Sequence, residues 1–139
     1  MPETILAFDF GLRRIGVAVG QDVTGSASPL GIIANGDNGP DHERIAVLVK
    51  EWRPTTLVVG MPYHADGSDS EIQGPVRAFA EQLRQYELPI EMVDERHTSQ
   101  EAQKVLKDAR AAGSRGRLKK EDVDAAAAVF IAERYLAGL

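Results

Sequence analysis

Three carboxylates in this 139-residue chain stand where metal chemistry is commonly done. Asp9 closes the first short apolar run, Thr4–Asp9. Asp94 and Glu95 close the last one, which begins at Ile90. Asp124 lies near the start of the final helical stretch. In an open α/β sheet, ligands gather at the carboxyl ends of the strands. Two acids at strand ends and a third from a helix would concentrate negative charge in one cleft, which is costly unless cations neutralise it. Hard oxygen ligands suit Mg²⁺ or Mn²⁺, and two such ions about 4 Å apart stabilise both the attacking and the leaving oxygen of a phosphoryl transfer.

Position leaves the choice between Asp94 and Glu95 open, because adjacent strand residues face opposite ways. Helical phase separates Asp124 from Asp122. Positions +3, +4, +7 and +11 from Asp124 are Ala127, Ala128, Ile131 and Tyr135, an apolar face with small residues early. Asp122 points toward Ala125, Ala126, Val129 and Glu133, and in a first helical turn it is the better partner of the helix dipole. Each acid also has a plainer reading. Asp9, two residues before Gly11, suits a turn, and Asp124 suits a helix surface.

The elements that must position these acids follow from the apolar pattern. Thr4–Asp9, Ile15–Val19 and Leu30–Ala34 read as three strands in an antiparallel meander, with polar turns at Gly11–Arg14 and Thr24–Ser28. Gly16 and Gly20 in the second run mark close backbone approach. After a turn-forming stretch at Asn35–Asp41, Ile45, Leu48, Val49 and Trp52 form a helical stripe that Arg53-Pro54 ends. Thr56–Val59 reads as a buried strand, 61–69 as a polar loop, and Ile72, Val76, Phe79, Ala80 and Leu83 as a second helix. Ile90–Val93 follows Pro89 as the last strand. Thr98–Glu101 has the spacing of a capping box ahead of Ala102, Val105, Leu106 and Ala109. A final helix covers about Glu121–Leu136. This order predicts one α/β domain over residues 1–139, with a mixed five-stranded sheet, three antiparallel strands then two parallel, and helices on both faces.

The remaining composition narrows the function. There are no cysteines, so thiolate metal sites, disulfides and a cysteine nucleophile are excluded. No signal peptide is visible and no run approaches the length of a membrane span, which leads to the expectation of a cytoplasmic protein. The net charge of −5 argues against a generic nucleic-acid coat protein. The charge is uneven, however: residues 110–120 hold Arg110, Arg115, Arg117, Lys119 and Lys120 and no acid. That run is either a solvated loop or a nucleic-acid contact. Asp9-Phe10-Gly11 matches the kinase metal motif, but no catalytic loop or glycine-rich loop accompanies it. Walker A, GxSxG, HExxH and GxGxxG patterns are absent. His42, His64 and His97 share no metal-ligand spacing, although His97 lies close to Glu95 in sequence.

Four blocks of residues resemble the YqgF (RuvX) family of RNase H-like proteins, whose members are named as pre-16S ribosomal RNA nucleases and as Holliday junction resolvases. They are Ala7–Gly11 with Arg14–Ala18, Val58–Pro62 with Asp66-Gly67, Asp94–Arg96 with Thr98-Ser99, and Val123–Ala128. The resemblance covers about Ile5 to Tyr135. It implies an RNase H-like fold and an acidic triad of Asp9, Glu95 and Asp124, selecting Glu95 over Asp94. It also implies metal-assisted phosphodiester hydrolysis with Mg²⁺ or Mn²⁺, and it makes Gly60-Met61-Pro62 a loop bordering the cleft. Arg13, Arg14 and Arg96 lie beside the acids in sequence and can pair with phosphate oxygens. Arg115, Arg117, Lys119 and Lys120 are expected to give salt-sensitive, sequence-independent contacts.

The expected substrate is structured nucleic acid, with the 5′ end of precursor 16S ribosomal RNA first and a Holliday junction second. Symmetric cutting of a junction favours a two-fold dimer, so both a monomer and a homodimer are compatible with these expectations. A non-catalytic nucleic-acid adaptor is a separate class, against which the intact triad argues. An actin-like ATPase also begins with DxG after a first strand, but it needs two similar domains that 139 residues do not supply.

Overall fold

A computed structural model describes residues 3–36, 39–61, 73–94 and 120–138, with side chains in the last segment from residue 125 onward. The predicted helix after Thr98 and most of the polar loop 61–69 lie outside the described residues.

The apolar runs become strands β1 (Thr4–Phe10), β2 (Arg14–Gln21), β3 (Ser26–Gly36), β4 (Gly39–Pro40), β5 (Thr56–Met61) and β6 (Ile90–Asp94). Helix α1 spans His42–Trp52, α2 Gln73–Leu83 and α3 Lys120–Ala137. The described strands form one mixed sheet in the order β4-β3-β2-β1-β5-β6. β1, β2 and β3 pair antiparallel, while β1, β5 and β6 are parallel. β1 is therefore interior, with an antiparallel neighbour on one side and a parallel one on the other. The expected sheet gains only the two-residue β4, a hairpin partner of Asn35 and Gly36.

β3 is longer than the apolar pattern predicts, starting at Ser26 rather than Leu30. Ser26, Ser28 and Pro29 look like turn residues. Here they pair with Gln21, Val19 and Ala18 of β2, and Pro29 sits beside the register shift, where strands tolerate proline. The register shifts between Val17 and Ala18, opposite Gly31 and Pro29. Leu30 is the extra residue of that bulge, and Gly31 takes a φ of 123°, which glycine tolerates without strain.

The alternation of β1 divides the core. Leu6, Phe8 and Phe10 face α1 and α2, where they meet Ile45, Leu48, Val76, Phe79 and Leu83. Ile5 and Ala7 face the other side and pack with Val58, Ile131, Ala132 and Leu136. α1 begins at the N-cap Asp41, whose carboxylate accepts from the Arg44 N–H at 3.2 Å. It ends at Arg53, left-handed at φ 47°, directly before Pro54. Helices thus cover both faces of the sheet, α1 and α2 on one and α3 on the other.

α3 lies close to β2 because β2 offers little bulk on that side. A Cβ at Gly20 would stand 3.1 Å from both Ile5 Cγ1 and Leu136 Cδ1, and 3.4 Å from Ala132 Cβ. Gly20→Val is expected to overpack this contact and lower stability by about 1–3 kcal/mol, read as a lower midpoint in chemical denaturation.

Candidate metal and nucleic-acid site

Asp9 is half-buried on β1 and shares its face with Ile5 and Ala7, the face that α3 covers. Its partner on β2 is Gly16. One step beyond the Phe8↔Val59 pair, its neighbour on β5 is Gly60. Neither glycine carries a side chain, so the two strands flanking Asp9 place none beside its carboxylate.

The side chain of Asp124 lies outside the described residues; further along α3, Ile131, Ala132 and Leu136 pack on this same face. Ala127, Ala128 and Ile131, all buried, fall within about 60° of position 124 at roughly 100° per residue. Position 122 lies about 160° round from it and falls in the first turn of the helix. Ala125, which the sequence groups with Asp122, is itself fully buried, so the packed face of α3 is wider than expected.

Asp94 goes the other way. It has the parity of Ile90 and Met92, and with them it lines a cavity of about 1070 Å³ between β6 and α2, together with Arg77, Glu81 and Arg84. Ile90 belongs to the core opposite Asp9, while Val93 packs on the Asp9 side. This cavity lies on the opposite face of the sheet from the one Asp9 shares with Ile5 and Ala7. Glu95, Arg96, Arg115, Arg117, Lys119, His64 and His97 lie outside the described residues. Lys120 opens α3. Among the described residues, no three His, Cys, Asp or Glu side chains are grouped to hold a metal ion.

Arg13 and Arg14 are exposed beside the turn that follows β1. The turn is tight: a Cβ on Gly11 would stand 2.5 Å from the Arg14 carbonyl oxygen. Asn35, missed in the sequence because it opens a stretch rich in turn formers, closes on it from β3. Its Nδ2 donates to the Gly11 carbonyl at 2.7 Å, and its backbone N–H donates to the Arg13 carbonyl at 3.0 Å.

Two other unanticipated residues anchor α3. Arg134 donates from Nη1 to the Asp94 carbonyl, tying the helix to the end of β6. Tyr135 donates to Glu3 Oε1 at 3.4 Å, and the same oxygen accepts from Thr56 Oγ1 at 2.8 Å. Burial, and then the nearby Glu3 charge, push the Tyr135 phenol above its ordinary range. His42 has a structural place, its Nε2 standing 2.9 Å from Gln82 Oε1 between α1 and α2.

Glu133 on α3 is raised above the usual carboxylate range by burial. Burial thus favours its neutral form, and stability declines as pH rises through the folded value. Glu133→Gln is expected to be more resistant to denaturation than wild type at neutral pH, with the difference vanishing below the carboxylate range. Melts across pH read this directly.

Solved structures share the architecture. The Thermus thermophilus RuvC in complex with Holliday junction substrate superposes with a TM-score of 0.61 at 14% identity, covering 97% of this chain and 94% of that one. The fowlpox virus resolvase, solved with Holliday junction DNA, gives 0.54 at 10% identity over 97% of each chain. A mixed sheet covered by helices on both faces, with an acid near the end of an interior strand, is an RNase H-like fold. A family model described as RuvX, Holliday junction resolvase, matches residues 3–138. A Chromohalobacter salexigens protein named "Putative pre-16S rRNA nuclease" is 42% identical over 134 residues, 96% of this chain and 88% of that protein. A Hahella chejuensis protein of the same name is 45% identical over 96% of this chain and 83% of its own length. The chain belongs to the RuvX (YqgF) family.

Proposed function

We propose that this chain is a single-domain, metal-dependent endonuclease that hydrolyses phosphodiester bonds at the 5′ end of precursor 16S ribosomal RNA, in the cytoplasm. The observation that carries the proposal is Asp9, half-buried on an interior strand, on the face covered by α3, between two strand neighbours that have no side chains. Two glycine neighbours keep the side chains of the flanking strands away from that carboxylate.

The donor set suits a hard divalent cation. Asp9, Glu95 and Asp124 would hold Mg²⁺ or Mn²⁺, all through carboxylate oxygens. The placement of Asp94 on the opposite face supports Glu95 as the acid of that pair for this role. The chemistry such an ion supplies is positive charge at the phosphoryl oxygens and a more acidic water. The protein's part is orientation and charge. Asp9 sits on a strand inside the sheet, which holds its carboxylate rigidly. Arg13 and Arg14, next to it at the turn, are suited to pair with phosphate oxygens of the substrate. Arg96, Arg115, Arg117, Lys119 and Lys120 would add contacts whose strength falls with salt. Hydrolysis adds water across the P–O bond, one product keeping the phosphate and the other a hydroxyl.

The description of the family model favours a second substrate, the Holliday junction. Symmetric cutting there would call for a homodimer, whereas trimming a ribosomal precursor suits a monomer. A direct test incubates the protein with a precursor 16S fragment and with a synthetic four-way junction in Mn²⁺ and in Mg²⁺. Cleavage of the RNA at a defined 5′ position is expected. Cleavage of the junction alone would transfer the assignment to the second substrate. Cleavage of neither, together with tight binding, would make the protein an adaptor. No described helix is long and apolar enough to cross a membrane.

A further inference from the structure

We infer that Asn35 is a positioning residue: it sets the turn 11–14 and thereby the contact of Arg13 with a substrate phosphate. The inference rests on the proposed role of Arg13. Asn35 is 7% exposed, one of the few buried polar side chains among the described residues. A buried amide is costly unless it is hydrogen-bonded. Its bond spans 24 residues of sequence to reach the carbonyl of Gly11 at 2.7 Å. A carbonyl only accepts, so the amide nitrogen must face it. The Asn35 main chain meanwhile holds the Arg13 carbonyl. One residue therefore grips the turn on both sides of Leu12, which is 62% exposed.

The rest of the turn has little freedom. Gly11 tolerates no Cβ against the Arg14 carbonyl. Phe10 before it is buried in the core, and Arg14 after it is paired with Ala34 on β3. Asp9 and the backbone of Arg13 are thus parts of one rigid corner, while the Arg13 side chain is exposed. A fixed Cα near the reacting phosphate reduces the ordering that binding must impose. Loss of the Asn35 amide would release this corner without removing any charge.

The test uses the full chain in an Asp9→Asn background, expected to bind without cutting, and a fluorescein-labelled precursor 16S fragment titrated at several salt concentrations. Arg13→Ala is expected to weaken binding several-fold and to lower the salt slope by about one. Asn35→Ala should lose a similar factor and lower the slope likewise, although it removes no charge. The double variant should bind no worse than Arg13→Ala alone. Ile33→Val, which loosens β3 from its core side, should keep the parent affinity and slope. If Asn35→Ala does not fold, Asn35→Thr suits a strand, lacks the reach to Gly11 and serves in its place. Parent-like binding by the Asn35 variant beside a weakened Arg13→Ala overturns the positioning role alone. Losses that multiply in the double variant overturn it too. Parent-like binding by Arg13→Ala overturns the Arg13 reading, and this inference with it.

Discussion

Asp9→Asn is expected to abolish nucleic-acid cleavage, with a loss of at least about a hundredfold in either Mg²⁺ or Mn²⁺. Residues that only orient a metal's ligands already cost roughly 10–100-fold when removed, and in the proposed site Asp9 would touch the ion itself. The fold should survive, because asparagine is isosteric and Asp9 is only half-buried. A matched circular dichroism melt separates lost chemistry from lost structure. The informative contrast is Asp94→Asn, a change of the same chemistry at the end of β6. Asp94 lines the opposite face of the sheet, so this variant should retain most of the activity. Equal activity in Asp9→Asn and wild type would sink the metal mechanism. Equal loss in both variants would show that the two faces do not separate the acids functionally.

Phe79→Ala should carry the largest stability cost of any single change considered, about 3–5 kcal/mol. Phe79 is 1% exposed on α2 and sits against both aromatic residues of β1. Its ring meets Phe8 edge-on at 5.6 Å between centroids and Phe10 at 5.3 Å. Truncation removes the buried ring, opens a cavity and breaks both aromatic contacts. It also loosens the side of β1 directly behind Asp9. Urea denaturation should show the loss in the midpoint, and activity measured well below that midpoint should fall less than in Asp9→Asn. A loss under about 1 kcal/mol would mean that the core closes around the gap.

Much of this architecture is legible in residue order. The runs at Thr4, Ile15, Thr56 and Ile90 announce strands because buried strands need short apolar stretches, and those stretches end in acids or glycine. The stripe Ile45, Leu48, Val49, Trp52 announces α1, and Pro54 its end. Asp124 is separable from Asp122 by helical phase, since phase is a local property of the backbone. What escaped was set by neighbours far away in sequence. Thr24–Ser28 reads as a turn, yet Ser26–Ser28 are strand residues because β2 pairs with them. Asn35 read as a turn former until the Gly11 carbonyl stood within its reach. Arg134 gave no signal at all, since its acceptor is a main-chain oxygen forty residues away.

The acids near the strand ends show the same division. Their identity, their spacing and the family they resemble are carried by the order of residues, because motif chemistry is local. Which face each acid serves is not, because a face exists only once strands are paired in register and helices have covered both sides. Pairing put glycine on both flanks of Asp9, and packing put α3 on the face it shares with Ile5 and Ala7. The same alternation turned Asp94 toward α2, a separation that position in the chain left open.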